Sequence, residues 1–316
     1  MKMKKSSFGI SLIYILVATI LFTSMEFSIK ATNGTFNPIQ LNLIRFAIST
    51  FILMPIAKSM LRKKGYTLTA KDYKLFTLQS LIYIVICLSL YTMSLSYMPA
   101  YLVAIVFSFN TVFSILLAAV FVGEKLNPSL KTALIISIAG MAVIANPVHF
   151  EGSLKGFVIC ISSALTFSIF SIITKSVSKK APIGGIVMTA YSFAIGSAML
   201  IAITAVSNIK PVADFMTAHN MQVFANIPFF AGISRDTIFP LFLVVFATAV
   251  GFAAYYMALD TTTVAMTSLV FFIKPVLSPV VAFLFFNEQI PLGNIAGSLL
   301  IVSGSTIIFV QNLKKH

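Results

Sequence analysis

Residues 91–126, YTMSLSYMPAYLVAIVFSFNTVFSILLAAVFVGEKL, return in altered form as residues 255–290, YYMALDTTTVAMTSLVFFIKPVLSPVVAFLFFNEQI. The correspondence keeps a constant offset of 164 and runs without a gap from 91–145 onto 255–309. It pairs Tyr91 with Tyr255, Met93 with Met257, Leu95 with Leu259, Glu124 with Glu288 and Gly140 with Gly304. An earlier stretch fits at an offset of 144, pairing Ser24 with Ser168 and Pro38 with Pro182. Self-similarity on this scale means that one unit was duplicated, and the two copies are read as domains 1–150 and 151–316.

Each copy is built of apolar runs of about twenty residues, the length needed to cross a ~30 Å hydrocarbon layer at 1.5 Å per residue. The spans fall at 8–29, 38–57, 74–95, 100–122 and 130–146 in the first copy, and at 153–174, 184–206, 238–259, 264–286 and 293–311 in the second. Of the 316 residues, 59% are hydrophobic and 9% charged, against about one quarter charged in soluble domains. The spans leave no room for a soluble domain, and the longest gap, 207–237, reads as an amphipathic or disordered loop. An odd number of spans per copy makes the second copy enter the bilayer from the side opposite to the first. The expected fold is therefore all-α and integral to the membrane, with about ten transmembrane helices in two inverted five-helix repeats around a central cavity.

The lysine-rich start, Met1–Lys5, precedes an apolar stretch without a small-residue cleavage site, so it reads as the first span rather than a signal peptide. A net charge of +14 raises the question of nucleic acid, yet the basic residues alternate between loops instead of forming one patch. With the N-terminus in the cytoplasm, only Lys30, Lys155, Lys210 and Arg235 of the 22 Lys and Arg lie outside, while Arg45 and Lys274 lie within spans. The remaining sixteen face inward, the bias that sets topology in a plasma membrane, and both termini are then cytoplasmic. Cys87 and Cys160 fall inside spans and imply no disulfide or metal framework.

The residues resemble the drug/metabolite transporter superfamily, specifically its EamA-type branch with two such domains. The resemblance covers essentially the whole chain. It rests on the Pro38 to Arg45 spacing, on Val122-Gly123-Glu124 and Phe286-Asn287-Glu288 closing matched helices, on Pro275, and on Gly297 with Gly304. It implies ten helices, a central cavity lined by both halves, and transport of amino acids, related metabolites or drugs, often outward. The chain departs from the family in lacking tryptophan in the first helix, where Phe22 to Glu26 stand, and in carrying Asn287 before Glu288. Thr189 occupies the frame position that would match Arg45.

Ionisable residues within spans are the candidates for function, because a charge at the bilayer centre costs about 2.5–3.5 kcal/mol on insertion scales. Lys274 lies mid-span, directly before Pro275, a residue that removes a backbone donor and disfavours helical geometry at Lys274. Helical spacing puts Thr267, Phe271, Lys274 and Ser278 on one face. Asn110 is the frame partner of Lys274, with Phe107 and Ser114 on its face. Lys274 either binds an anionic substrate group, with Asn110 hydrogen-bonding beside it, or pairs internally with a carboxylate or helix carbonyls.

Glu26 shares a face with Thr19, Thr23 and Lys30 and is the one acidic residue placed within a span. It is a candidate for proton coupling or for binding an amine, against the alternative of an i,i+4 pair with Lys30. Arg45, with Asn42 and Ser49 on its face, offers a bidentate fork to an anion or bridges to Glu26. Tyr255, and Tyr101 at the outer mouth, are the tyrosines most suited to line the cavity. Tyr83, Tyr91, Tyr97 and Tyr256 are further candidates to line it, several of them close enough to span ends for an aromatic belt to be the default reading. Glu124 and Glu288 read as caps of the helices that follow, and the Gly293–Gly297 and Gly152–Gly156 spacings as helix-packing signals.

No HExxH, GxSxG or nucleotide-binding glycine loop occurs, which argues against an intramembrane enzyme or an ATP-driven pump. The expected function is that of a secondary transporter, exporting small metabolites such as amino acids or related zwitterions by alternating access. A lipid-headgroup or polyprenyl-carrier translocator is the alternative, and a channel is disfavoured by the midplane prolines. The expected partners are a small-molecule substrate and membrane lipid, with protons as a candidate coupling ion. No nucleic acid, cofactor or metal is expected, and the chain is read as a monomer or homodimer.

Overall fold

The computed structural model describes residues 5–32, 34–123, 126–145, 153–178, 183–286 and 292–313. The proposed caps Glu124 and Glu288, together with Asn287, Gly152 and Pro182, lie outside the described residues. All regular structure among the described residues is helical: α1 (Lys5–Ala31), α2 (Pro38–Lys63), α3 (Ala70–Ser94), α4 (Ala100–Val122), α5 (Pro128–Ala145), α6 (Leu154–Ser178), α7 (Gly185–Ser207), α8 (Lys210–Ala218), α9 (Arg235–Thr261), α10 (Val264–Thr267), α11 (Leu269–Phe286) and α12 (Leu292–Leu313). Seven of these, α1, α2, α3, α4, α6, α7 and α9, are long and apolar enough to cross a membrane. α5, α11 and α12 contribute the shorter apolar stretches Pro128–Val143, Leu269–Val281 and Ile295–Gly304.

Polarity is distributed inside out relative to a water-soluble bundle. Phe51, Val120, Phe121 and Phe239 stand exposed on outward faces, whereas Thr19, Thr23, Glu26, Asn42, Arg45, Asn110 and Lys274 are buried between helices. Lipid as solvent explains both halves of that distribution, since it accepts apolar side chains and leaves polar ones to find partners within the protein. α1 packs along α9, α2 along α7, and α5 along α12, while α6 lies against α3 and α4. α11 fits between α1, α4 and α12.

The helices are locally irregular at several places. In α3, residues 80–87 form wider i→i+5 turns, a rare geometry that often marks functional positions. The expectation that Pro275 interrupts its helix requires correction: α11 continues through Pro275, and the interruption sits earlier, at Ser268 between α10 and α11. There Phe272 N–H reaches Ser268 O at 3.2 Å and Phe271 N–H reaches it at 2.9 Å, a tightened turn that absorbs the change of direction before the proline. α4 has an interruption of its own at Ser108, four residues later in the duplicated frame, where the Ser108 hydroxyl donates back to Ala104 O at 2.6 Å.

The connection 208–234 is folded rather than amorphous. It contains α8, and it is tied to α2 by two side chains that also cap that helix. Asn37 Oδ1 accepts from Ile39 N–H at 2.8 Å, and Gln40 Oε1 accepts from Asn37 N–H at 3.2 Å. Their amide nitrogens donate outward, Asn37 Nδ2 to Val223 O at 2.8 Å and Gln40 Nε2 to Ala231 O at 2.7 Å. With Pro38 at the first helical position, the N-P-x-Q sequence is a strong helix start. Asn37→Ala is expected to cost about 1 kcal/mol through the cap alone. Thermal unfolding of Asn37→Asp, which keeps the acceptor and loses the donor to Val223, separates the cap from the tie.

Candidate functional site

α1 and α11 meet in the core, and the meeting brings Glu26 to Lys274. Lys274 Nζ lies 2.6 Å from Glu26 Oε1, with the two side chains 2% and 0% exposed. The contact is close in distance but off the hydrogen-bond axis, and Glu26 Oε2 has no hydrogen-bond partner. Ser278, one turn past Lys274, is fully buried and adjoins the Glu26 carboxyl. The ammonium also sits 5.5 Å from the centroid of the Tyr91 ring and 5.9 Å from that of Phe107, within cation–π range. The Tyr91 hydroxyl is 3.4 Å away, a long hydrogen bond.

Beside the ion pair lies an aromatic cage. Phe22, Met25, Leu88, Tyr91, Phe107, Phe167, Phe252, Phe271 and Lys274 surround a void of about 10 Å³, room for roughly one water. Ring centroids are 4.5 Å apart for Phe22–Phe252, 4.7 Å for Tyr91–Phe107 and 4.9 Å for Phe167–Phe271, so the cage is closed on itself. A much larger cavity, about 480 Å³, opens at the end of the bundle where α1 finishes and α2 begins. Its walls include Lys30, Phe36, Leu41, Thr92, Leu95 and Ala100. That volume suits a small metabolite, whereas the cage admits one only if its rings move apart.

The other residues anticipated from sequence are placed as follows. Phe271 lines the cage, and Tyr255 packs edge-on against it with its hydroxyl 3.2 Å from Ser171 Oγ. Thr267 is buried on the same face but donates to its own helix at Thr263 O. Asn110 is not hydrogen-bonded to Lys274: its amide nitrogen donates to Phe107 O at 2.6 Å, and its Oδ1 has no partner. The helix interruption at Ser108 turns the amide back onto that carbonyl, and Phe107 takes the place beside the lysine. Tyr101, on the first turn of α4, lines neither cavity. Arg45 is fully buried but does not bridge to Glu26, whose charged neighbour is Lys274. Its Nη1 instead donates to Met25 Sδ at 3.2 Å.

Sequence reading missed four of the nine residues of the cage, namely Met25, Leu88, Phe167 and Phe252. The signal was present in the duplicated frame. Leu88 corresponds to Phe252 and Phe107 to Phe271 at the same offset that pairs Asn110 with Lys274. Among the described residues no three His, Cys, Asp or Glu gather as metal ligands.

A polar pair sealed in an aromatic core between apolar helices suits the handling of a small solute. Residues 9–146 and 154–310 each match the family model described as the EamA-like transporter family. The chain belongs to the EamA-like transporter family. It carries two copies of the EamA domain and is thus a multi-pass membrane transporter of the drug/metabolite superfamily. It is 29% identical to a Clostridium kluyveri protein named "Uncharacterized transporter", over 96% of this chain and 94% of that one. It is 24% identical to the Bacillus subtilis "Uncharacterized transporter YvbV", over 88% and 85%. An Archaeoglobus fulgidus protein, again named as an uncharacterized transporter, is 23% identical over 93% and 97%. A solved crystal structure superposes with a TM-score of 0.71 at 15% identity, covering 96% of this chain and 99% of the other, a likeness of fold. Membership in the EamA-like family points to a small-molecule substrate in a membrane setting and to transport rather than catalysis.

Proposed function

We propose that this EamA-like transporter exports amino acids or related zwitterions by alternating access of two inverted five-helix halves. The observation that carries this reading is the Glu26–Lys274 pair on the edge of the closed aromatic cage. Separating a buried pair leaves two uncompensated charges, a change that costs several kcal/mol. A zwitterion avoids that cost, because its ammonium replaces Lys274 at Glu26 and its carboxylate replaces Glu26 at Lys274. The Glu26 carboxylate, parted from Lys274, accepts the incoming ammonium. The cage then offers ring faces to the rest of the molecule. A neutral sugar or a simple cation breaks the pair without restoring both charges.

The halves are taken to rock about this midplane pair, as the duplicated frame and its odd span number suggest. The positive-inside bias supports a plasma-membrane protein with both termini cytoplasmic. The large cavity at the α1–α2 end then faces outward. Glu26 is the group proposed to exchange protons with the transport cycle.

Counterflow in proteoliposomes, across a panel of amino acids, organic cations and neutral sugars, tests the reading. Zwitterions are expected to exchange, and Glu26→Gln is expected to flatten the pH dependence of their uptake. Equal exchange of neutral sugars or of cations lacking a carboxylate overturns the zwitterion argument.

A further inference from the structure

Arg45 is fully buried and among the described residues faces no carboxylate. Its Nη1 is occupied by Met25 Sδ, and its guanidinium carbon lies 4.7 Å from the centroid of the Phe46 ring. Nε and Nη2 have no partner. Those two nitrogens form one edge of the guanidinium, with parallel N–H bonds spaced to meet both oxygens of a carboxylate. Leaving such an edge unmatched in a buried setting is costly, so it marks a place where an anion fits.

Two neighbouring groups are in the same condition. Asn42, three residues earlier on the same face of α2, has an unpartnered Nδ2, while its Oδ1 accepts from Thr92 Oγ1 at 3.0 Å. Tyr83, in the wide-turn segment of α3 and within electrostatic reach of Arg45, has an unpartnered hydroxyl. All three are donors. Thr92, which orients Asn42, also lines the 480 Å³ cavity, as does Leu41 one turn before Arg45. On the other side Met25 belongs to both places, holding Arg45 by its sulfur and lining the cage next to Lys274.

The geometry points to a carboxylate-binding site formed by the Nε–Nη2 edge of Arg45 with the Asn42 amide on the same face of α2, just beneath the large cavity and divided from the Glu26–Lys274 pair by Met25. Arg45 holds the carboxylate first, and movement of the Met25 side chain passes it to Lys274. The inference deepens the transport reading by giving the substrate's carboxylate a first binding site, separate from Lys274. It rests on that reading only for the onward step, since binding at Arg45 requires no transport.

The test is thermal unfolding of the purified full-length protein in detergent, titrated with sodium formate and sodium acetate against sodium chloride at equal ionic strength. Formate and acetate are expected to raise the midpoint saturably above chloride. Arg45→Met and Asn42→Leu are expected to weaken the apparent affinity, at least about tenfold for Arg45→Met. Should Arg45→Met fail to fold, Arg45→Lys keeps the charge, removes the fork, and is expected to weaken formate binding as well. The double variant Glu26→Gln with Lys274→Met is expected to retain the formate response. Equal response to chloride, no response to any anion, or a full formate response in Arg45→Met or Arg45→Lys overturns the inference. If the response instead disappears with Lys274 and survives loss of Arg45, the carboxylate binds at the ion pair. That outcome sinks this site and leaves the zwitterion reading standing.

Discussion

Lys274→Met is expected to destabilise the folded protein by about 3–5 kcal/mol and to abolish exchange, because it leaves Glu26 as a lone carboxylate in an apolar core. Adding Glu26→Gln removes the orphaned charge. The double variant is expected to regain most of the lost stability, since replacing both members of a buried pair with uncharged groups is often near neutral. It is not expected to regain exchange, having lost both groups that hold the zwitterion. Stability is read from thermal unfolding in detergent, and exchange from counterflow in proteoliposomes. The contrast between single and double variants separates two roles that a single substitution confuses. A double variant that exchanges amino acids with wild-type affinity makes the pair a structural brace, and the proposed site is then wrong.

The second large effect lies away from the cage, where α5 and α12 touch through glycines. A Cβ built on Gly140 comes 2.7 Å from the carbonyl oxygen of Gly297 and 2.9 Å from Ile301 Cγ1. On Gly304 it collides with Ser137 Oγ and comes 2.8 Å from Ala133 O. In an isolated helix Gly→Ala gains up to about 1 kcal/mol. Here the obstacles include backbone atoms of a packed neighbour, and overpacking of this kind costs about 1–3 kcal/mol. The clash is expected to win, so Gly140→Ala is destabilising, and Gly140→Val or Gly304→Val more so. Their thermal midpoints decide the matter: an unchanged or raised midpoint for Gly304→Val means that the helices part freely. Formate and amino-acid affinity of the folded fraction is expected to stay at the wild-type level, because neither glycine borders the cage.

The helices were legible because apolar run length reports bilayer thickness directly. The span read at 100–122 coincides with α4, and that at 184–206 is displaced by one residue from α7. The error is larger for α2, which continues to Lys63 rather than ending at 57, since its last turns are polar and hydropathy fades before the helix does. The chemically distinctive residues were legible too, because Glu26, Arg45 and Lys274 are conspicuous charges in apolar runs. Their partners were not. Sequence shows only neighbours along the chain or on the adjacent helix, such as Lys30 or Arg45 for Glu26, whereas the packing of α11 against α1 supplies Lys274. The cage was overlooked for a related reason: phenylalanines are common in this chain, and only packing distinguishes those that meet at its centre from those that face lipid.

The ion pair joins residues from opposite ends of the polypeptide, and this bears on how the protein is made. Residues 27–273 must be synthesised after Glu26 before Lys274 exists. At about 5–20 residues per second that interval is on the order of tens of seconds. Throughout it, α1 has no lysine from α11 to balance its carboxylate. The nascent first half must therefore keep Glu26 protonated, solvated at the translocon, or screened by a chaperone until the ninth apolar segment arrives. Assembly of the core is therefore completed late, once α11 brings Lys274 to the carboxylate that α1 has carried from the start.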